Sequence, residues 1–279
     1  MKATRERFVP EESSGQIMAE HLSRYYMTEQ LVSVDGKVVL DIACGAGYGT
    51  ELLARKASYA YGIDISPEAV NYAKTKHHRD NLTYWIGDCC AIPMDDASVD
   101  IVVSFETIEH IENHPLFLAE IKRVLRPDGI LIISSPNKRL YTDILKTNNP
   151  FHVHELYTDE FVKLVTEHFC HTAFFGQNHI WGSIIFPISE TTFSHGIGDI
   201  TSGSVQEKET LYNIAIASNA PLHLNNQYAT LVYDITDRLG PLLQQQYQAG
   251  YERCRKTPSF RLGHALLHPM SWLNGKKNK

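Results

Sequence analysis

The chain has 279 residues, 43% of them hydrophobic and 21% charged, with a formal net charge of −6. That is enough chain for one large packed domain, and no run of about eighteen apolar residues offers a membrane-spanning helix. The charge is uneven: residues 252–279 carry seven Lys/Arg and one acid, leaving 19 basic and 31 acidic residues, a balance of −12, in residues 1–251, and such a body suits no nucleic-acid backbone.

Residues 1–7 lack the apolar core of a signal peptide. Pro10 disfavours helix at Val9. Residues 13–32 then place Ile17, Met18, Leu22, Tyr25, Tyr26 and Leu31 at helical spacing, with Ser13 or Ser14 as cap. His21 and Tyr25 lie one turn apart on that helix. After a turn at Asp35-Gly36, Val38-Val39-Leu40-Asp41-Ile42 reads as a short buried parallel strand. Glycines follow at 45, 47 and 49, then an apolar helix start at Glu51-Leu52-Leu53-Ala54. Strand, glycine turn and helix open a nucleotide-binding βαβ unit. Glycine serves where backbone takes positive φ and passes close to a ligand. The spacing is G-x-G-x-G rather than the G-x-G-x-x-G of a pyrophosphate loop. Asp41 beside the loop suits a cation and repels phosphate.

Tyr59–Asp64 reads as a second strand, ending on an acid about twenty residues past the loop, where an acid can bind ribose hydroxyls. Ser66-Pro67 caps the next helix. Leu82–Ile86 is the third strand, followed by Gly87-Asp88-Cys89, where Asp88 faces a ligand or caps a loop. Val99–Ser104 is the fourth strand and runs into Phe105-Glu106-Thr107-Ile108-Glu109-His110. Ligands of open parallel sheets bind at such strand ends. If this segment is helical, Glu106, Glu109 and His110 share one face at i, i+3 and i+4. The three suit a divalent cation, or they form a solvated acidic helix start.

A helix is expected from His114-Pro115 to Leu125, stopped by a turn at Arg126-Pro127-Asp128-Gly129, with a fifth strand at 130–134. An irregular stretch runs to Asn149. His152 and His154 then stand on a loop that opens to the same side, where either could complete a metal site or act as general base. Thr158 is expected to cap a helix running to about His168. Residues 173–176 and 212–217 are expected as an antiparallel edge hairpin. The insert 178–210, with Trp181 and His195, is read as a lid over the acceptor. The tail from Arg253 interleaves basic and apolar residues; it lies on an anionic membrane surface or a partner, or stays solvated. Cys44, Cys89, Cys90, Cys170 and Cys254 include no C-x-x-C pair, and the odd count fits a reducing cytosol.

D-I-A-C-G-A-G-Y-G at 41–49 resembles the first motif of class I S-adenosylmethionine-dependent methyltransferases, and R-P-D-G-I-L-I-I-S at 126–134 resembles a further hallmark of them. The resemblance implies a doubly wound α/β fold, with a mostly parallel seven-stranded sheet, an antiparallel edge hairpin and an N-terminal lid helix. It implies S-adenosylmethionine as cofactor, with Asp41, Ala43, Cys44, Gly45 and Gly47 under its methionine part. Asp64 and Ile65 would meet the ribose, Asp88 and Cys89 the adenine, and Phe105, His21 and Tyr25 would close the site. E-x-x-E-H at 106–110 resembles two groups of metal-dependent O-methyltransferases, one acting on catechols in ubiquinone synthesis and one on the terminal ribose of small RNAs. That implies Glu106, Glu109, His110 and His152 as ligands of Mg²⁺ or Mn²⁺.

S-P-N-K at 135–138, N-P-F-H-V-H-E-L at 149–156, E-R-F-V-P-E-E at 6–12 and T-P-S-F-R-L-G at 257–263 are similar to methyltransferases encoded with bacterial surface-polysaccharide genes. The expected function is therefore O-methylation of a sugar hydroxyl of a surface glycan, with His152, His154 and Glu106 as catalytic residues. The rivals are a catechol, quinone or other small-molecule O-methyltransferase, and a non-catalytic cofactor-binding partner in glycan assembly. The expected organisation is an arm and lid helix at 1–35, the methyltransferase domain at 36–220 and a C-terminal extension at 221–279. The expected location is the cytoplasm, at the inner membrane face if the tail docks there.

Overall fold

The computed structural model describes residues 15–179, 183–187, 210–224 and 231–232, all within the compact unit 1–233. Ser13, Ser14, Trp181, His195 and the basic tail fall outside the described residues. The chain runs α1 (Gly15–Leu31), β1 (Val38–Ile42), α2 (Tyr48–Ala54), β2 (Tyr59–Asp64), α3 (Pro67–Lys76), β3 (Leu82–Ile86) and β4 (Val99–Ser104). It continues through α4 (His114–Val124), β5 (Leu125–Pro136), α5 (Thr158–His168), β6 (His171–His179), β7 (Ser183–Pro187), β8 (Tyr212–Ser218) and β9 (Leu231–Val232). The strands form one sheet in the order β3-β2-β1-β4-β5-β8-β6-β7-β9. The first five are parallel, and β8 pairs antiparallel with both β5 and β6. The seven strands expected from the sequence are thus present in a doubly wound order. Two more, β7 and β9, lengthen the antiparallel end, and β7 arises inside the insert that the sequence suggested only as a lid.

The central parallel strands β1 and β4 are mostly apolar because both faces are covered, whereas the edge strand β3 leaves Trp85 and Ile86 exposed. Side chains alternate between faces, and the core divides accordingly. Leu40, Val102, Leu131 and Ile133 pack with Phe117, Leu118 and Ile121 of α4 and with Phe161 and Val165 of α5. Val39, Ile101, Val103 and Ile132 pack on the other face with Met27 and Leu31 of α1 and with Leu52 and Leu53 of α2. Each such side chain contributes about 1.5–3 kcal/mol by leaving water. Among the described residues no helix is long and apolar enough to cross a membrane.

Four local expectations need correction. The turn expected at 126–129 is absorbed into β5 as an irregularity: Val99 faces Leu125, whereas Ile101 faces Ile130. The Arg126 guanidinium holds the detour down by donating to Asp100 at 2.6 Å, and Asp100 in turn accepts from the Val38 N–H. Thr158 does not cap α5 but begins it; its hydroxyl donates to Asn213, and Glu160 reaches back to accept from the Tyr157 N–H. The stretch after β5 is not wholly irregular, since Arg139–Ile144 forms a π-helical turn. Finally, residues 105–110 form no α-helix. Glu106 takes a left-handed φ of 52° and only Ile108–His110 coil, as a 3₁₀ turn.

The glycine loop sets how closely α1 approaches. A Cβ on Gly49 would fall 1.9 Å from the Tyr25 ring, and one on Gly47, whose φ is 77°, would fall 2.6 Å from the Ala73 side chain. Gly49→Ala should therefore displace Tyr25 and cost about 1–3 kcal/mol. Thermal melts of Gly49→Ala, Tyr25→Ala and the double variant should show strongly non-additive losses. Additive losses would mean that Gly49 is not what seats the helix.

Candidate active site

A cavity of about 690 Å³ opens at the carboxyl ends of β1, β2 and β4, the expected place for a ligand in this sheet type. Ala43 and Gly45 hold left-handed φ values of 58° and 54° there. A Cβ on Gly45 would meet nothing within 4 Å, so that glycine serves backbone shape. Asp64, at the end of β2, accepts from the Gly45 N–H at 2.9 Å and from the Ser66 N–H at 2.8 Å. Both its oxygens are thereby aimed, and each keeps a lone pair for a ligand hydroxyl. Asp88 accepts from the Cys90 N–H at 2.8 Å. Asp88 and Cys89 line the cavity, as do Ile65 and Phe105.

Asp41 lies beneath the loop and is fully buried. Its carboxylate accepts from the Thr50 hydroxyl at 2.7 Å and from the Tyr25 hydroxyl at 3.3 and 3.4 Å. Burial raises its pKa to about 7, against the pull of those two hydroxyls, and Asp64 adds a further upward push. His21 and Tyr25, one turn apart on α1, both reach the cavity wall. His21 Nδ1 lies 3.2 Å from the Tyr48 hydroxyl, and burial, aided by Arg24, lowers its pKa to about 4. It is therefore neutral near pH 7.

The far end of the cavity is walled by Glu106, Thr107, His110, Ile111 and Phe151. Glu106 turns inward. Its carboxylate accepts from the Ser134 hydroxyl at 2.6 Å and lies 3.5 Å from the buried Arg24 guanidinium. Burial pushes its pKa upward although Arg24 and Ser134 oppose the shift. Arg24 is further held by Gln177 at 2.7 Å, Glu20 at 3.3 Å and the Tyr212 ring at 4.6 Å.

Glu109, His110 and His152 converge separately, with one ligand atom of each within 4.8 Å of the others. His110 Nδ1 donates to the Phe151 carbonyl at 3.0 Å, which leaves Nε2 as the basic nitrogen of the neutral ring. Nε2 is 3.9 Å from Glu109 Oε1. His152 Nδ1 donates to Glu155 at 2.5 Å, and its ring is flanked by Tyr141 and by the edge of His110. The loop bearing it is pinned because the Val153 and His154 N–H groups both donate to the Glu109 carbonyl.

Of the four residues expected to bind a metal, the fold brings three together. Glu106 stands apart, because the left-handed turn aims it at Arg24. His154 is exposed and stacks on His114 with centroids 4.4 Å apart; of the residues expected in the site, His154, His152, Glu109, Asp41 and Gly47 are not among those lining the cavity and stand behind or beside its wall. Arg24, Ser134, Tyr141 and Glu155 were not foreseen. The signal for Glu155 was its i+3 spacing from His152; Arg24 offered none, since a buried arginine is visible only once its partners are placed.

The family model described as a methyltransferase domain matches residues 40–133. A Mycolicibacterium smegmatis protein carrying the name of an S-adenosylmethionine-dependent methyltransferase is 37% identical over 131 residues, 47% of this chain and 50% of that protein. The phthiotriol/phenolphthiotriol dimycocerosates methyltransferase of Mycobacterium leprae is 35% identical over 126 residues, 44% of this chain and 46% of its own. The chain thus spans about half the length of these relatives. In structure it resembles a chain of the Haloferax volcanii complex between the Trm112 methyltransferase activator and a methyltransferase. The TM-score is 0.55 at 19% identity, covering 74% of this chain and 94% of the other, a likeness of fold.

The raised pKa of Asp41 predicts a pH dependence. Its protonated form favours the folded, ligand-free chain, a contribution lost as pH rises through about 7. A cation bound over the loop pulls the pKa down, so binding releases a proton. The groups facing Asp41 are Tyr25 from α1, Cys44, Tyr48 and Thr50 around the loop, Asp64 from β2 and Tyr84 from β3. The affinity of a cationic ligand bound over the loop should rise up to about tenfold per pH unit below pH 7 and level off above it. Asp41→Asn should flatten the profile. Calorimetry in buffers of different ionisation enthalpy checks this; a flat wild-type profile without proton release would refute it.

Proposed function

We propose that this chain is an S-adenosylmethionine-dependent methyltransferase that methylates a hydroxyl, on a sugar of a bacterial surface glycan. The methyltransferase-domain match over 40–133 and the named relatives support the enzyme class and the cofactor. Motif likenesses at 135–138 and 149–156 support the glycan. The Mycobacterium leprae relative, named for methylating phthiotriol compounds, supports a hydroxyl-bearing lipid as a second acceptor class.

The observation that carries the reading is one continuous cavity. Asp64 and the Gly45 loop lie at one end, and His110, on its Phe151 tether, at the other. When bound, S-adenosylmethionine supplies a methyl group on a positively charged sulfur. Asp41 and the loop orient that end, and Asp64 holds the ribose. His110 Nε2 would take the proton of an acceptor hydroxyl held at this end of the cavity. Much of the rate comes from holding the two reactants in line. His152, braced by Glu155, backs the His110 ring.

Glu109, His110 and His152 also have the donor set and spacing for one divalent ion. These three would hold it, and it would supply Lewis acidity that lowers the pKa of an acceptor hydroxyl. Their Nδ1–H tethers to a carbonyl and a carboxylate are those that orient metal-binding imidazoles.

His110→Ala should lower kcat by roughly 10²–10⁴-fold while leaving cofactor affinity near wild type; His154→Ala should do little. Exhaustive chelation followed by Mg²⁺ or Mn²⁺ separates the two chemistries. Restored turnover supports the ion, and full turnover in chelator leaves His110 as the base. Cofactor binding with no methyl transfer to any hydroxyl acceptor would favour the non-catalytic partner.

A further inference from the structure

The turn after β3 gathers a set of soft metal-binding groups that the proposed methyl transfer does not use. One ligand atom each of Asp88, Cys89 and Cys90 lies within 4.8 Å of the others, and all three residues line the cavity. Neighbouring cysteines on a strand would point to opposite faces. Here the backbone turns instead. The Ala91 N–H donates to the Asp88 carbonyl at 3.1 Å, which puts Cys89 and Cys90 at the two central positions of a β-turn. The Asp88 side chain folds over the same turn and accepts from the Cys90 N–H at 2.8 Å. The Cys89 thiol donates to the Cys90 sulfur.

The turn is held from both sides. Before it, the Gly87 N–H donates to the Asp64 carbonyl at 3.1 Å. After it, the Ile92 N–H donates to Glu120 at 2.9 Å, and the Ile92 carbonyl accepts from Arg123 at 2.8 Å. Arg24 offsets Glu106. Asp64, Asp88 and Glu112 line the cavity with no Lys or Arg among the described lining residues, a setting that favours a cation.

We infer that Asp88, Cys89 and Cys90 hold one soft or borderline divalent cation, Zn²⁺ or Cd²⁺, in the cavity wall beside β3, and that this ion excludes the cofactor. Two thiolates select such ions over Mg²⁺ and Mn²⁺. Glu109, His110 and His152, with no sulfur among them, form a separate group. Tetrahedral bonds of about 2.3 Å set two sulfurs about 3.8 Å apart, and the thiol–thiol contact already brings this pair together. Each thiol gives its proton to solvent as its sulfur binds the ion, and water takes the fourth position. The exclusion rests on the reading of Asp88 and Cys89 as adenine-end residues; the ion site does not.

The test titrates the full chain with Cd²⁺, in thiol-free buffer with a phosphine reductant, and follows the ultraviolet sulfur-to-cadmium absorption. Wild type should develop the band with one tightly bound equivalent. Cys89→Ser and Cys90→Ser should each weaken binding by about 100-fold, and Asp88→Asn by about tenfold. Cys170→Ser, which alters an exposed thiol, should keep the band. With the ion at about ten times its Kd, the apparent Kd of S-adenosylmethionine should rise about tenfold in wild type and stay unchanged in Cys90→Ser. An undiminished band in both serine variants, or a cofactor affinity indifferent to the bound ion, would overturn the inference. A chain that binds no cofactor with or without the ion would count against the cofactor reading instead, and the band then judges the site.

Discussion

The carboxylate of Asp41 is taken out of water where β1 ends, and the structure around the cavity is built to tolerate it. Leaving a buried carboxylate without donors would cost several kcal/mol. Thr50 supplies one hydroxyl from α2 and Tyr25 another from α1. Those two bonds fix both helices that cover this face of the sheet. Tyr25 can reach only because Gly49 has no side chain in its way. The first turn of α2 and the seat of α1 thus depend on the same acid.

A second buried charge repeats the logic one residue earlier on α1. Arg24 is 0% exposed and spreads its donors over Gln177 of β6, Glu20 of its own helix and Glu106 after β4. Burying such an ion carries a desolvation cost that good geometry only repays, so its value lies in placing α1 over the cavity. It also explains Glu106. In a left-handed turn and bonded to Ser134 and Arg24, this residue is a fixed part of the cavity wall, separate from the Glu109, His110 and His152 group.

The acceptor end is assembled by backbone rather than by strand register. The Glu109 carbonyl receives two N–H groups of the 153–154 segment, and the Phe151 carbonyl orients His110. One short loop thereby fixes the imidazole pair and lifts Phe151 and Val153 into solvent. Chemistry and surface character are consequences of the same loop conformation.

The sequence by itself determined the parallel half of the sheet, the glycine loop, the acids Asp41, Asp64 and Asp88, and the placing of His21 and Tyr25 one turn apart on α1. The reason is that these follow from local pattern: apolar runs buried on both faces, glycines where φ is positive, and acids at strand ends. The tertiary structure alone decided which of Glu106, Glu109, His110, His152 and His154 meet. A left-handed residue at 106 breaks the helical spacing that would have put them on one face, and non-glycine residues give no local sign of that conformation. Arg24 as a buried cation, the detour at 126–129 and the extra strands β7 and β9 likewise rest on partners far along the chain. Such partners set burial, charge and edge pairing, none of which a window of neighbouring residues contains.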